Sequence, residues 1–202
     1  MIVRSKQLKV KKGDKVILTD ADGVLLNWEF AFITWMEEHG HKLKAGSQFV
    51  YDVAQRFGLE KAESKKLIRF FNESATIGYL PAHRDAEHYV KALARLGYKF
   101  HVITSLSKNT NAQKLRTKNL QKLFGDVFDD FVYLDTGEDK DILKMYEGTE
   151  LYWIEDKPEN VDEGMKYGLK GILMEHGHNM DYNGNATVVK DWKSIYKLIT
   201  AK

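Results

Sequence analysis

The chain has 202 residues, of which 43% are hydrophobic and 12% aromatic, and its formal net charge at pH 7 is +2. This composition is typical of a folded protein with a sizeable core, and it excludes an intrinsically disordered chain. Cysteine is absent, which excludes disulfides and thiolate metal sites. Any metal must therefore be bound by oxygen or histidine, which favours hard cations such as Mg²⁺.

A cluster of lysines near the start of the chain could contact nucleic acid. No aromatic residues alternate with them as a stacking surface requires, so we favour a solvated segment. No apolar run approaches the roughly 20 residues of a membrane span, and no apolar segment follows the lysines as in a secretory signal. We therefore expect a cytoplasmic protein without a membrane partner. The lysines are Lys6, Lys9, Lys11, Lys12 and Lys15.

The first part of the chain is predicted to contain one strand followed by helices. Residues 16–19 form a short apolar run that ends directly on Asp20, as a buried strand does. Apolar residues at helical spacing predict helices over 28–39 and 61–71. Because no clear strand falls within residues 28–80, this stretch is interpreted as a helical insertion after the first strand.

Strands and helices alternate in the remainder of the chain. Helices are predicted at 85–96, 112–124, 139–146, 161–167 and 192–199, and strands at 99–103, 131–134, 151–154, 171–174 and 187–189. This alternation predicts the α/β class, with a Rossmann-like parallel sheet flanked by helices. We expect a core domain formed by residues 1–26 and 81–202 and a small helical cap domain formed by residues 27–80.

Residues capable of chemistry stand at the ends of three predicted strands. In open α/β sheets, ligands bind beside the carboxyl ends of the strands, so these side chains are expected to share one site. They are Asp20 with Asp22, Thr104 with Ser105, and Glu155 with Asp156.

The first of these pairs is the candidate catalytic pair. Gly23 permits a turn that brings the carboxylates of Asp20 and Asp22 to one pocket. The carboxylate of Asp20 can attack phosphorus to give an aspartyl-phosphate. Asp22 can protonate the leaving oxygen and then deprotonate the water that releases phosphate. A plain turn or a calcium loop is the alternative, but the apolar residues at 24–26 argue against a calcium loop.

The acidic residues also predict a cation between them. Mg²⁺ takes few protein oxygens together with water and substrate phosphate. Asp20, the carbonyl group of Asp22, and Asp156 would supply those oxygens, with Glu155 in or near the coordination shell. Such an ion holds the anionic nucleophile and the phosphate together.

Three further residues are candidates for binding the phosphate. Thr104 and Ser105 offer hydroxyl and backbone donors to phosphate oxygens, although many strands end in such residues for turn reasons. Lys140, at a predicted helix start, can neutralise charge on the transferring phosphoryl group, and a surface lysine is the alternative.

These motifs, in this order, resemble the haloacid dehalogenase superfamily. Its signature is a strand ending in Asp-x-Asp, a strand ending in Thr or Ser, a Lys, and a strand ending in paired acids. Within that superfamily the chain resembles in particular the 5′(3′)-deoxyribonucleotidases, and the similarity spans most of the chain. It is carried by the runs Asp20-Ala21-Asp22-Gly23-Val24-Leu25, Trp28-Glu29, Phe32, Thr104-Ser105, Lys108, Asp139-Lys140, Glu155-Asp156-Lys157-Pro158, His178-Asn179 and Asp191-Trp192.

The resemblance implies an α/β core with a cap that closes over the substrate, and a Mg²⁺-dependent 5′-nucleotidase that acts on ribo- or deoxyribonucleoside monophosphates. Glu155 replaces an Asp of that family, Leu106 replaces a proline, and Arg84-Asp85-Ala86 replaces a Gly-Ala turn. The cap matches only loosely, so the resemblance says least about the substrate.

The substrate pocket is expected to include aromatic residues. In the deoxyribonucleotidases an aromatic at the position of Trp28 packs against the base, so Trp28 with Phe49 or Tyr51 is the candidate stacking slot, and Lys108 is a further pocket candidate. Packing of Trp28 in the core is the alternative. His176 and His178 are interpreted as polar loop residues that the Mg²⁺ site does not need.

Two other functions stay open. The same chemistry can act on a sugar phosphate, on another small phosphoester, or on phosphorylated nucleic-acid ends. Alternatively, the protein is catalytically silent and binds a nucleotide or a partner through a basic helix, although a solvated helix face is the simpler interpretation. The residues of that helix are Lys114, Arg116, Lys118 and Lys122.

Overall fold

The computed structural model describes residues 10–201. Lys6 and Lys9 of the predicted lysine cluster lie outside the described residues, and Lys11, Lys12 and Lys15 are exposed. Within residues 10–201, no helix combines the length and the apolar character that crossing a membrane requires.

A single parallel sheet of six strands forms the centre of the molecule, in the order β3-β2-β1-β4-β5-β6. The chain builds one half outward from β1 and then crosses back to build the other half from β4. The predicted α/β class with a helix-flanked parallel sheet is confirmed. The strands are β1 (Val16–Thr19), β2 (Lys99–Ser105), β3 (Phe128–Leu134), β4 (Tyr152–Glu155), β5 (Lys170–Met174) and β6 (Thr187–Val189).

Seven α-helices connect and cover the strands in the described part of the chain. They are α1 (Trp28–Glu38), α2 (Val53–Phe57), α3 (Lys61–Glu73), α4 (Ala86–Arg95), α5 (Thr110–Phe124), α6 (Pro158–Lys166) and α7 (Trp192–Thr200). Shorter 3₁₀ helices span Ser47–Phe49, Ala75–Gly78, Asp141–Tyr146 and Gly177–Asn179.

Most predicted elements are present, and their boundaries move for identifiable reasons. Helix α5 begins two residues earlier than predicted because the side chain of Asn109 accepts hydrogen bonds from the backbone of Asn111 and Ala112, which caps the helix. The α-helix predicted at 139–146 is wrong: the chain forms a 3₁₀ helix over Asp141–Tyr146, a form that is common in such short segments.

The core lies on both faces of the sheet, because β1 is buried from above and below. Ile17 packs into the larger apolar cluster together with α1, α4, α5 and α7, and Leu18 faces a second cluster around Trp153. Alternate residues of a strand point to opposite faces, so a strand buried on both sides is apolar along its length.

The segment between β1 and α4 contains α1, α2 and α3. Its two ends are held together, because the Asn27 amide donates to the Pro81 carbonyl at 2.9 Å and Leu26 forms an isolated bridge with Ala82. Phe32 and Phe71 join this segment to the larger core cluster. The division into a core domain and a cap domain over residues 27–80 stays a prediction.

Candidate active site

The acidic residues predicted to share a site do come together at the ends of β1 and β4. These strands are neighbours, and the Asp20 amide donates to the Ile154 carbonyl at 2.9 Å. Asp20, Glu155 and Asp156 each place a carboxylate oxygen within 4.8 Å of the others. The strand order reverses direction between β1 and β4, and such a switch point is where open parallel sheets bind their ligands.

The turn after Asp20 is tight and requires glycine. The carbonyl of Ala21 accepts hydrogen bonds from the amides of both Leu25 and Leu26, at 2.9 and 2.8 Å. Gly23 has φ +73°, a left-handed conformation that glycine adopts without strain, and a Cβ there would collide with the carboxylate of Asp156. Gly23 therefore lets the loop after β1 approach the carboxylate of Asp156, which follows β4.

Lys140, for which a surface position was the alternative, is buried among the carboxylates. Its Nζ donates to Asp20 Oδ1 at 2.8 Å and to the Ile103 carbonyl at 2.6 Å, and lies 3.7 Å from Glu155 Oε1. Burial opposes the charge, but the carboxylates of Asp20 and Glu155 outweigh it and raise the pKa of Lys140. The lysine is therefore a fixed positive charge beside Asp20, the nucleophile predicted from the sequence.

The carboxylates of Asp20, Glu155 and Asp156 at this edge carry more negative charge, when ionised, than Lys140 alone can neutralise. Burial raises the pKa of Asp20 to about 7 against the opposing effect of Lys140, and the carboxylate of Glu155 raises it further. Burial and the charge of Glu155 raise the pKa of Asp156 well above its usual value. A cation bound between these groups would favour the ionised form of each. The ligand set consists of carboxylate oxygens, which fits a hard cation such as Mg²⁺.

The two adjacent acids after β4 have different surroundings. Glu155 Oε2 accepts hydrogen bonds from the amides of Asp156 and Lys157, and Asn160 donates to Oε1 at 2.5 Å. Together with Lys140 these donors outweigh burial and lower the pKa of Glu155. Glu155 is thus occupied in holding the start of α6, which leaves Asp156 as the better candidate for a direct metal ligand.

Thr104 and Ser105 end β2, next to the Asp20 loop. Thr19 pairs with Val102 in the parallel register, so the residues after β1 run beside those that end β2. Thr104 is fully buried, and among the described residues its hydroxyl has no hydrogen-bond partner. A buried hydroxyl without a partner is rare and is consistent with a ligand contact.

Arg116 is the site residue that the sequence interpretation missed. It was assigned to a solvated basic helix face, but its side chain is fully buried and its Nη1 donates to Asp22 Oδ1. Lys114, Lys118 and Lys122 are exposed, as expected of that face. A sequence signal existed, because Arg116 lies at the four-residue spacing of the apolar stripe formed by Ala112, Leu120 and Phe124.

Trp28 packs inside the segment between β1 and α4, which is called the cap segment after the predicted cap. Its ring stacks on Phe32 with 4.5 Å between centroids and meets the edge of Phe71 at 5.5 Å, and its Nε1 donates to Asn72 Oδ1 at 2.9 Å. Asn72 in turn donates to the Leu106 carbonyl at 3.3 Å, in the loop after β2. Trp28 therefore connects helix packing to that loop, and contact between Trp28 and a substrate stays a prediction.

The other pocket candidates separate into two places. Tyr51 lies 5.0 Å from the His178 ring and lines a cavity of about 300 Å³ together with Lys157 and Tyr182, and Phe49 packs close by, beside Gly177. Phe49 and Tyr51 are each 58% exposed. Lys108 Nζ is in an exposed pair with Asp135, at 3.4 Å.

His176 and His178 contact backbone carbonyls of the two loops that carry the acidic residues. His176 Nε2 lies 2.8 Å from the Gly23 carbonyl, and His178 Nε2 lies 3.2 Å from the Asp156 carbonyl. Burial lowers the pKa of His176 to about 4 and also lowers the pKa of His178. Both rings are therefore neutral at pH 7 and can donate to these carbonyls.

Comparison by sequence finds one curated relative in a bacteriophage. The chain is 27% identical over 132 residues to an uncharacterized 32.4 kDa protein from the Gp30-rIII intergenic region of Enterobacteria phage T4. The match covers 63% of this chain and 47% of the relative, so the chain spans about half the length of that protein. No protein-family model matches the sequence.

Comparison by structure decides the fold. A predicted phosphatase from Clostridium acetobutylicum superimposes with a TM-score of 0.62 at 14% identity, covering 91% of this chain and 97% of the other. The D,D-heptose 1,7-bisphosphate phosphatase from B. bronchiseptica, solved with magnesium and phosphate, gives a TM-score of 0.58 at 13% identity, covering 92% and 98%. The chain has the haloacid dehalogenase fold. At these identities the likeness shows the fold alone, so the chemistry must be argued from the residues.

Proposed function

We propose that the chain is a Mg²⁺-dependent phosphomonoesterase that forms an aspartyl-phosphate on Asp20. The observation that carries this proposal is the position of Asp20, with Lys140 Nζ 2.8 Å from its Oδ1 and two further carboxylates within 4.8 Å. A carboxylate that serves only as a structural ion-pair partner does not need a second and a third acid beside it.

The proposed reaction has two displacement steps. An oxygen of Asp20 attacks phosphorus, the bond from phosphorus to the leaving oxygen breaks, and the protonated carboxyl of Asp22 gives its proton to that oxygen. Asp22 then accepts a proton from water, the resulting hydroxide attacks phosphorus, and phosphate leaves Asp20 as the acyl-phosphate bond breaks. Burial raises the pKa of Asp22 against the effect of Arg116, which favours the protonated form that the first step needs.

The remaining polar residues are assigned to substrate binding. Lys140 is proposed to neutralise charge on the phosphoryl group, and Thr104 and Ser105 to donate hydrogen bonds to its oxygens. Mg²⁺, held by Asp20, the Asp22 carbonyl and Asp156, would supply positive charge to the same group, with Glu155 orienting the loop.

Nucleoside monophosphates are the proposed substrate class. Support comes from the resemblance to the 5′(3′)-deoxyribonucleotidases and from Tyr51, an exposed aromatic ring beside the acidic loops that can stack on a base. A sugar phosphate is the second candidate, because the structurally similar B. bronchiseptica protein is a heptose bisphosphate phosphatase.

The test is phosphate release from ribo- and deoxyribonucleoside monophosphates, sugar phosphates, and 5′- or 3′-phosphorylated oligonucleotides, with Mg²⁺ and with chelator. We expect Mg²⁺-dependent release that favours nucleoside monophosphates and falls by at least about 10³-fold in Asp20→Asn. Asp126→Asn, an exposed aspartate, is the matched control and should keep wild-type activity.

The outcomes separate the alternatives. Release from sugar phosphates or oligonucleotide ends alone would retain the mechanism and reject the nucleotidase assignment. Tight nucleotide binding without any release would reject the phosphatase and favour a catalytically silent binding protein.

A further inference from the structure

Arg116 is a charged residue on the buried face of α5. Its side chain has no solvent exposure, and the neighbours at helical spacing on that face are Ala112, Leu120 and Phe124. Removing a guanidinium group from water is costly, and a buried ion pair often stabilises a fold no better than apolar side chains of the same volume do. The fold alone therefore gives little reason for arginine at this position.

The hydrogen bonds of Arg116 point to a single target. Nη1 donates to Asp22 Oδ1, whereas Nε and Nη2 have no partner among residues 10–201. Arg116 comes from the helix that follows β2, and Asp22 comes from the loop that follows β1. The contact thus ties the carboxyl of Asp22 to a rigid helix.

The two carboxylates of the first loop are held by different cations. Lys140 contacts Asp20, and Arg116 contacts Asp22. The N–H donors of a planar guanidinium have fixed directions, whereas an ammonium can rotate its donors. Arg116 therefore holds the Asp22 carboxyl on the α5 side of the site, through Oδ1, and its hydrogen bond leaves Oδ2 to other partners.

We infer that Arg116 is a positioning residue, which fixes the Asp22 carboxyl in the orientation in which it meets the leaving oxygen of the substrate. The inference rests on the proposed phosphomonoesterase function. It assigns no contact with the substrate to Arg116, so Arg116 acts through Asp22 alone.

The test compares leaving groups. A p-nitrophenolate ion departs without a proton, whereas the alkoxide of a nucleoside 5′-monophosphate requires one. We would measure the rate of phosphoenzyme formation by rapid quench, with Mg²⁺, so that only the first step is compared. The proteins are the wild type, Arg116→Gln, Arg116→Lys, Asp22→Asn and the double variant Asp22→Asn with Arg116→Gln.

In Arg116→Gln we expect the rate with the nucleoside monophosphate to fall about 10²-fold and the rate with p-nitrophenyl phosphate to fall less than about 3-fold, with KM almost unchanged. The double variant should be no slower than Asp22→Asn, because both changes remove the same function. Lys118→Gln, on the exposed face of α5, is the matched control and should behave as the wild type.

Several results would overturn the inference. Equal losses with both leaving groups would indicate a general structural role, and a rise in KM alone would indicate direct contact with the substrate. Full activity in Arg116→Lys would show that charge suffices and that orientation does not matter. A double variant much slower than Asp22→Asn would show that Arg116 acts independently of Asp22.

If the Gln variant fails to fold, the same comparison is made with Arg116→Lys, for which we expect a smaller loss confined to the nucleoside monophosphate. Absence of phosphate release from every substrate in the wild type would reject the proposed function itself, and is thereby distinguished from the other results.

Discussion

The strand ends that carry the acidic residues and the predicted cap segment, residues 27–80, are held together by different interactions. At the strand ends, buried ionic contacts fix each group, as Lys140 fixes Asp20 and Arg116 fixes Asp22. In the cap segment, aromatic rings pack on one another, as Trp28 does on Phe32. Ionic contacts in a buried site depend steeply on geometry, whereas aromatic packing tolerates exchange of similar shapes. Chemistry should therefore be sensitive to single changes in the core, and substrate choice should be adjustable in the cap.

The largest effect is expected from Lys140→Met. The change leaves Asp20 and Glu155 buried without their cation, so kcat/KM for phosphate release should fall by about 10²- to 10³-fold and stability by about 3–5 kcal/mol. Steady-state kinetics and urea denaturation measure the two effects. Lys144→Met, at an exposed position of the 3₁₀ helix that follows Lys140, should change neither. Wild-type activity in Lys140→Met would contradict the importance assigned to the core ion pair.

Protons should compete with Mg²⁺ at the strand ends. Asp20 has its pKa raised to about 7 and must be ionised to bind a cation. The carboxylate form is therefore lost as the pH falls through 7, and the Kd for Mg²⁺ should rise by up to about tenfold per pH unit below that value. Calorimetric titrations at a series of pH values measure this. Asp20→Asn should make the dependence shallower but not abolish it, because the pKa of Asp156 is also raised. A Kd for Mg²⁺ independent of pH in the wild type would contradict the prediction.

Two cap residues should respond in opposite ways. Tyr51→Ala should raise KM for nucleoside monophosphates about tenfold and leave stability almost unchanged, because the ring is exposed and available to stack on a base. Trp28→Phe should leave KM within about 3-fold and lower stability by about 1–2 kcal/mol, because Asn72 loses its donor. The two variants serve as controls for each other. The reverse pattern would place the stacking slot at Trp28.

The last effect concerns stability alone and involves His83, which is buried and has no hydrogen-bond partner for either ring nitrogen within residues 10–201. Burial lowers its pKa from 6.5 to about 3, so the unfolded chain binds the proton that the folded chain excludes. Its share of stability is present above about pH 6.5 and is lost as the pH falls toward 3, by up to about 1.4 kcal/mol per pH unit. In His83→Phe the fall in the urea midpoint between pH 7 and pH 5, measured with chelator, should be smaller. A fall as steep as in the wild type would contradict this origin. An equally reduced fall in His88→Gln, where the replaced histidine is exposed, would contradict it too.

The sequence was most informative where backbone geometry determines where side chains go. A short apolar strand places its next residue at the sheet edge, so Asp20, Thr104 and Asp156 were expected near one another, and Asp20 and Asp156 are in direct proximity. The α/β class followed from the alternation of strands and helices, and the structure confirms it.

Side chains that reach across the fold were harder to predict. Arg116 looked like one more basic residue on a helix rich in lysine, and only the phase of the apolar stripe indicated that it faces inward. The cap segment has helices whose mutual packing depends on ring-to-ring contacts that no local pattern encodes, so the surroundings of Trp28 and Tyr51 had to be observed.

The strand order has a consequence for how the molecule folds. β1 pairs with β2 on one side and with β4 on the other, and β4 follows β2 and β3 in the chain. A partly folded chain containing only β3-β2-β1 would leave one edge of β1 open, and open strand edges promote aggregation. The carboxylate of Asp20 meets those of Glu155 and Asp156 only when β4 pairs with β1, which joins residues far apart in the chain. A cation that binds them would therefore favour the completed sheet over earlier intermediates by mass action.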